Sequence, residues 1–152
     1  MTYLERVTHM PCTQKELFEF FTQSKSILRR PPKGVSIKII RAPEKLKLND
    51  DVELFVQYGP FKFPWHLKVV SIMDGLYVRN EQVSGKFKYW DHQKGFENSD
   101  AGVDLREAIS YQYKAGFFGN LLNRLVIRPL LKKWLAERHR WLQTNIMKKE
   151  GR

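Results

Sequence analysis

From Val35 to Tyr113 apolar and polar residues alternate in run after run, and beyond Tyr113 the alternation gives way to apolar residues three or four apart. A period of two puts successive side chains on opposite faces of a strand; a period near 3.6 lines them along one stripe of a helix. Val35 to Ile40 and Val52 to Tyr58 therefore read as half-buried strands. Phe61 to Met73 is a longer one, with Phe63, Trp65, Leu67 and Val69 on a single face. Leu76 to Val83, Lys86 to Phe96 and Val103 to Tyr113 continue the pattern. Gly59-Pro60, Asp74-Gly75 and Ser84-Gly85 supply tight turns, so consecutive strands return beside one another as an antiparallel meander.

The two ends frame this meander. Tyr3 to Met10 predicts a first strand, and Thr13-Gln-Lys-Glu16 has the spacing of a capping box, which opens a helix of about three turns. Leu17, Phe18, Phe20 and Phe21 give that helix a bulky apolar face, and Pro31-Pro32 forbids its continuation. From Phe118 to about Lys148 runs one long helical pattern, a rod of roughly 45 Å. Pro129 predicts a kink or a division into a leading turn and a main helix. Leu131, Trp134, Leu135, Trp141, Leu142 and Ile146 fall on one arc of the rod, while Lys132, Lys133, His139 and Arg140 are assigned to the opposite side. Residues 148–152 read as a frayed tail.

A rod this long in a chain of 152 residues needs a wide sheet to cover its apolar stripe. The order of elements predicts an α+β helix-grip domain spanning residues 1–152. In that plan a curved antiparallel sheet of about six to seven strands wraps a long C-terminal helix and encloses a cavity, with a short helix after the first strand. At 42% hydrophobic and 13% aromatic residues, the chain has the material for such a core.

Charge adds a second theme. The formal net charge of +11 is concentrated in two stretches: eight bases and one acid from Lys25 to Lys47, nine bases and two acids from Arg124 to Arg152. Clustered positive charge favours phosphate-bearing partners, and weak peripheral association with an anionic membrane is the expectation. Aromatics beside bases at Phe87-Lys88-Tyr89-Trp90 resemble a base-stacking surface, but strand alternation buries about half of them, so nucleic acid is not expected as a partner. The single cysteine, Cys12, excludes an intramolecular disulfide. With no apolar leader and no run of about 20 apolar residues, the expectation is a cytoplasmic protein.

Catalytic signatures are sparse. No glycine-rich phosphate loop, nucleophile elbow or Cys-His arrangement is present. Two metal ligands on one face of a strand need a spacing of two, and His92 has Trp90 and Lys94 there, so neither a metal site nor a cofactor is expected.

The segment Gly85-Lys-Phe-Lys-Tyr-Trp90-Asp-His92-Gln-Lys94-Gly-Phe96 resembles the Gly-Pro-Tyr…Trp-x-His-x-His-x-Phe stretch of the SRPBCC, or START-like, superfamily, which includes polyketide cyclases and coenzyme Q-binding proteins. Pro31-Pro32, Trp65, Asn80-Glu81-Gln82 and Leu105 to Tyr111 fall where that group has similar residues. Lys94 replaces the second histidine of the pattern and Lys86 its proline. The resemblance implies a helix-grip fold whose space between sheet and helix takes a hydrophobic small molecule or lipid.

Phe63, Trp65, Trp90, Tyr111 and Trp134 are the expected lining, with His92, Glu107 and Arg138 orienting a polar end. Glu107 stands on the same face as Leu105, Ile109 and Tyr111, and Arg138 within the apolar arc of the terminal helix. Buried charges are usually paired, so these two are expected to meet. The alternative function is a cyclase- or dehydratase-type enzyme using His92 or Glu107 as base in the same cavity. Oligomeric state is not legible.

Overall fold

The computed structural model describes the backbone over residues 1–150 and the side chains over residues 1–146. Seven strands, β1 (Thr2–Met10), β2 (Val35–Arg41), β3 (Asp51–Tyr58), β4 (Phe61–Met73), β5 (Tyr77–Ser84), β6 (Tyr89–Ser99) and β7 (Gly102–Gln112), form one sheet. Their order is β1-β7-β6-β5-β4-β3-β2, antiparallel throughout. Only β1 departs from the meander: it pairs with β7, Leu4 opposite Ile109, so the chain's first and last strands are neighbours.

Helices α1 (Gln14–Thr22) and α3 (Arg128–Glu150) pack on the sheet, and a short α2 (Phe117–Leu122) leads into α3. The capping box of α1 is complete, Glu16 N–H donating to the Thr13 hydroxyl and Thr13 N–H to the Glu16 carboxylate. This satisfies two helix-end donors that would otherwise lack partners. Leu17, Phe18 and Phe21 then point into the core, where Phe21 stacks on Phe96 of β6 with centroids 5.7 Å apart.

Between α2 and α3 the helix widens to π geometry over Asn123–Ile127, and Arg128 N–H bonds the Asn123 carbonyl five residues back. The cause is the next residue: Pro129 has no N–H for the carbonyl four back and its ring crowds it. The rod therefore stays continuous where the sequence left a kink or a division open. Asn123 also fastens the start of the rod to the sheet, accepting from the Tyr111 hydroxyl at 2.6 Å and donating to Thr2 Oγ1 at 3.0 Å.

The inward face runs across the sheet through Ile37 and Ile39, Leu54 and Val56, Phe63, Trp65 and Leu67, then Trp90, His92, Lys94 and Phe96, and Leu105, Glu107, Ile109 and Tyr111. Three details differ from the sequence reading. Strand β6 starts at Tyr89, because Gly85 to Lys88 form a loop; α3 runs to Glu150, past the expected fraying point at Lys148, while residues 151–152 lie outside the described residues. The third concerns His139, which is fully buried. It stands four residues after Leu135 and three before Leu142, on the same face as both, and its polar identity had placed it among the lysines.

Candidate ligand-binding site

Strand alternation turns Trp90, His92, Lys94 and Phe96 of β6 and Leu105, Glu107, Ile109 and Tyr111 of β7 toward α3. Most of these are apolar, so the polar ones gather in one place. Lys94 lies opposite Glu107 in the strand register. Helix α3 brings Arg138 and His139 down onto the same spot, all buried.

Glu107 is the hub. Its Oε2 receives His92 Nε2 at 2.7 Å and its Oε1 receives His139 Nε2 at 3.1 Å. Arg138 Nη1 is 3.8 Å from Oε2, an ion pair rather than a hydrogen bond. Burial on its own pushes the Glu107 carboxyl up, but the Arg138 charge and the two imidazole hydrogen bonds outweigh it and hold it well below the usual carboxylate range. An ionised carboxylate only accepts, so both imidazoles carry their proton on Nε2 where they face it. In the neutral ring His139 Nδ1 then accepts from the Thr8 hydroxyl, 2.7 Å away on β1. His92 is pushed down to about 4, first by burial and then by the charge of Lys94.

Two cations surround this single carboxylate. Lys94 is 7% exposed and forms no ion pair within 4 Å among the described residues. Burial and the Arg138 charge lower it to about 8. Arg138 is 4% exposed, and its Nε, likewise buried, has no hydrogen-bond partner. What both cations do have is the ring of Phe21, 4.9 Å from the Arg138 guanidinium carbon and 5.9 Å from Lys94 Nζ. Asn80 Oδ1, on the strand beside His92, is a buried acceptor without a partner. The core thus holds an excess positive charge with unused hydrogen-bonding capacity.

An aromatic layer adjoins the cluster. Trp90 meets Trp65 at 4.9 Å, Tyr111 at 6.0 Å and His92 at 6.2 Å, and His92 meets Trp134 at 5.8 Å. All of these were expected from sequence; Phe87, read there only among half-buried aromatics and not as named lining, joins them 4.9 Å from Trp90 and 5.7 Å from Tyr111. Trp65 is fixed by donating its indole N–H to Gln82 Oε1 at 2.9 Å, and Gln82 in turn holds the Phe87 carbonyl at 2.7 Å. Gly85 allows this: a Cβ there would come within 2.5 Å of the Trp65 ring. Phe63 stands across from Val56, farther along the inward face.

Coverage of that face is uneven. Trp90 and Tyr111 are buried, but Ile37, Ile39, Phe63, Trp65, Phe87 and Trp134 are only partly so, although all border the core. Helix α3 lies nearest β1, and the part-exposed inward residues sit on β2 and the first half of β4, whereas Val52, Leu54 and Val56 of β3 are buried. A separate groove of about 490 Å³ runs between α1 and the later turns of α3, lined by Phe20, Trp141, Leu142 and Ile146 with Lys15, Lys25 and Arg29 on its rim. Phe20 on its wall packs 5.0 Å from Phe21, so the groove ends one ring away from the cations.

Sequence reading missed His139, Thr8 and Phe21, and took Lys94 only as a departure from a motif. The alternation Trp90-His92-Lys94-Phe96 already turned that lysine inward. Cys12 is buried with its thiol pushed up to about 11 by burial, which makes it an unreactive packing residue.

No family model matches the chain, and no curated protein matches it in sequence. Solved structures do match it in shape. The protein TTHA0849 of Thermus thermophilus superimposes over 97% of this chain and 99% of its own, with TM-score 0.74 and 14% identity. The di-domain ARO/CYC StfQ of the steffimycin biosynthetic pathway matches over 99% of this chain and 52% of its own, with TM-score 0.73 and 10% identity. Ara h 8.0201 matches over 95% and 99%, with TM-score 0.61 and 10% identity. These likenesses establish the fold: the chain has the helix-grip architecture, a curved antiparallel sheet around a long C-terminal helix.

Proposed function

We propose that the protein binds a hydrophobic small molecule or lipid on the inward face of the sheet, under α3, with the ligand's polar end at the Glu107 cluster. The observation that carries this reading is that Ile37 and Ile39 of β2, Phe63 and Trp65 of β4, and Trp134 of α3 face inward yet keep contact with solvent, while Leu54 and Val56 of β3 between them are buried. Inward-facing aromatics left part-exposed in a domain with ample core-forming residues are the lining of a site that a ligand completes.

The polar end has a direction of charge. Lys94 and Arg138 are two buried cations against one carboxylate, so an acidic group on the ligand offsets the excess and gives Arg138 Nε a partner. Phe63, Trp65, Trp90, Tyr111 and Trp134 hold the apolar body, and His92 stands at the junction.

Carriage is favoured over chemistry by the state of the two candidate bases. Both Glu107 oxygens are engaged and its carboxyl is held low; His92 at about 4 is far from the range where a general base works best near neutral pH. That one neighbour in shape is an ARO/CYC leaves the cyclase alternative as the reaction to exclude. Native mass spectrometry of the protein as purified, followed by organic extraction, tests the proposal. The expected result is an apolar molecule at one per chain, recovered chemically unchanged. Failure of the protein to bind any long-chain probe would refute it, and so would turnover of a bound compound that His92→Ala abolishes.

A further inference from the structure

One end of the sheet gathers apolar surface and positive charge and excludes acids. The β3–β4 turn, the Gly85–Lys88 loop and the connection from β7 into α2 all lie at that end, because alternate turns of an antiparallel meander share an edge. Residues 54–66, 82–90 and 111–127, which form these turns and the strand ends beside them, contain no Asp or Glu. Lys62, Lys86, Lys88, Lys114 and Arg124 are exposed there. The opposite end carries Asp50, Asp74 and Asp100 in its loops and Glu97 near the end of β6 alongside Lys45 and Lys47, so the excess of bases lies at one end of the strands.

The same basic end presents its largest apolar side chains to solvent. Phe117 and Phe118 are 74% and 82% exposed, with rings 5.5 Å apart, and Leu125 about two turns on is 64% exposed. Phe61 at the tip of the β3–β4 turn is 69% exposed. Gly116, at φ 99°, sets the sharp change of direction that stands the two phenylalanines at the head of the rod. Core packing does not use these rings.

We propose that this end docks on an anionic lipid membrane, with Phe117 and Phe118 entering the headgroup–acyl boundary while the surrounding lysines and Arg124 meet lipid phosphates. Charge complementarity selects this occupant. Apolar tips ringed by bases alone fit a negatively charged surface, whereas two copies meeting through this end would set like charges against each other. The docking end also adjoins the part-exposed aromatics of β4 and the Phe87 loop, so a lipid ligand would pass directly between bilayer and site. The docking itself does not depend on the ligand assignment.

Co-sedimentation with phosphatidylcholine vesicles, with and without phosphatidylglycerol, tests the proposal on the full chain. Binding should require phosphatidylglycerol and fall steeply with salt. Phe117→Ser/Phe118→Ser and Lys86→Glu/Lys114→Glu should each weaken it by about tenfold or more, on the scale of one to two surface contacts. Lys45→Glu/Lys47→Glu, at the opposite end, should weaken it much less. These side chains are exposed, and circular dichroism should show every variant folded. Equal binding by all variants, or greater loss from the Lys45 and Lys47 pair, overturns the proposal. So does a wild-type dimer that Phe117→Ser/Phe118→Ser converts to monomer without any vesicle binding, since the patch would then be a self-association surface.

Discussion

Arg138 of the terminal helix and Glu107 of the last strand lie 3.8 Å apart in the interior, joining helix to sheet through the only carboxylate of the buried cluster. Removing one partner strands the other charge, which typically costs about 3–5 kcal/mol, whereas removing both leaves less to compensate. Glu107→Gln and Arg138→Met should therefore each destabilise strongly. The double variant should be more stable than the sum of the two, by about 1 kcal/mol or more. Chemical denaturation of the four proteins measures this; strictly additive losses would show that the two side chains do not interact.

The cluster also makes stability depend on acid. His92 titrates near 4 in the fold and at 6.5 when unfolded, so between those values the unfolded chain binds the extra proton and stability falls as pH falls. Glu107 adds to the loss below its ordinary 4.5, because its folded carboxyl is held lower. Melting temperature should drop from about pH 6.5 downward, and His92→Gln, which keeps an N–H for Glu107 but does not titrate, should flatten the 6.5 to 4 segment. An unchanged slope in that variant would place the acid sensitivity elsewhere.

Nearly the whole fold was legible because periodicity and turn chemistry agree along the chain: seven apolar alternations, a complete capping box and a long helical stripe correspond to seven strands and the two ends of the grip. The Glu107–Arg138 meeting was legible for a related reason, since each charge sits in an otherwise apolar row and the topology sets the rows face to face. His139 was not, because on a helical wheel a histidine at the edge of the apolar arc reads as solvent-facing until the strand that covers it, β1, is placed. Phe87 was missed as lining because alternation extended back from Trp90 turns it outward with Tyr89, and only the Gly85–Lys88 loop, which breaks that parity, brings it in. Which part of the inward face α3 leaves less covered depends on where the rod crosses the sheet, and no residue pattern encodes that crossing.

Lys94 is a charge the fold carries at a cost. Its ammonium titrates at about 8 in the fold and at 10.5 unfolded, so stability should rise as pH climbs through that interval, where the unfolded chain still holds a proton the fold has released. Lys94→Met keeps the length of the side chain and removes the charge. At pH 7 it should stabilise the protein by about 1–3 kcal/mol and abolish the rise between pH 8 and 10.5. Thermal unfolding across that pH range decides it; a destabilised variant would mean that the ammonium has a partner essential to the fold.

That stabilising substitution should cost function, and the cost is the most direct measure of the ligand reading. Wild-type protein and Lys94→Met would be titrated with a fluorescent long-chain fatty acid and with the corresponding alcohol, following tryptophan energy transfer from Trp65, Trp90 and Trp134. The expected result is saturation at one acid per chain, with the acid bound at least about tenfold more tightly than the alcohol in the wild type, about 1.4 kcal/mol, and no such preference in Lys94→Met. Absence of saturable binding, or equal affinity for acid and alcohol in both proteins, would contradict an apolar site whose inner end is built for an acidic head.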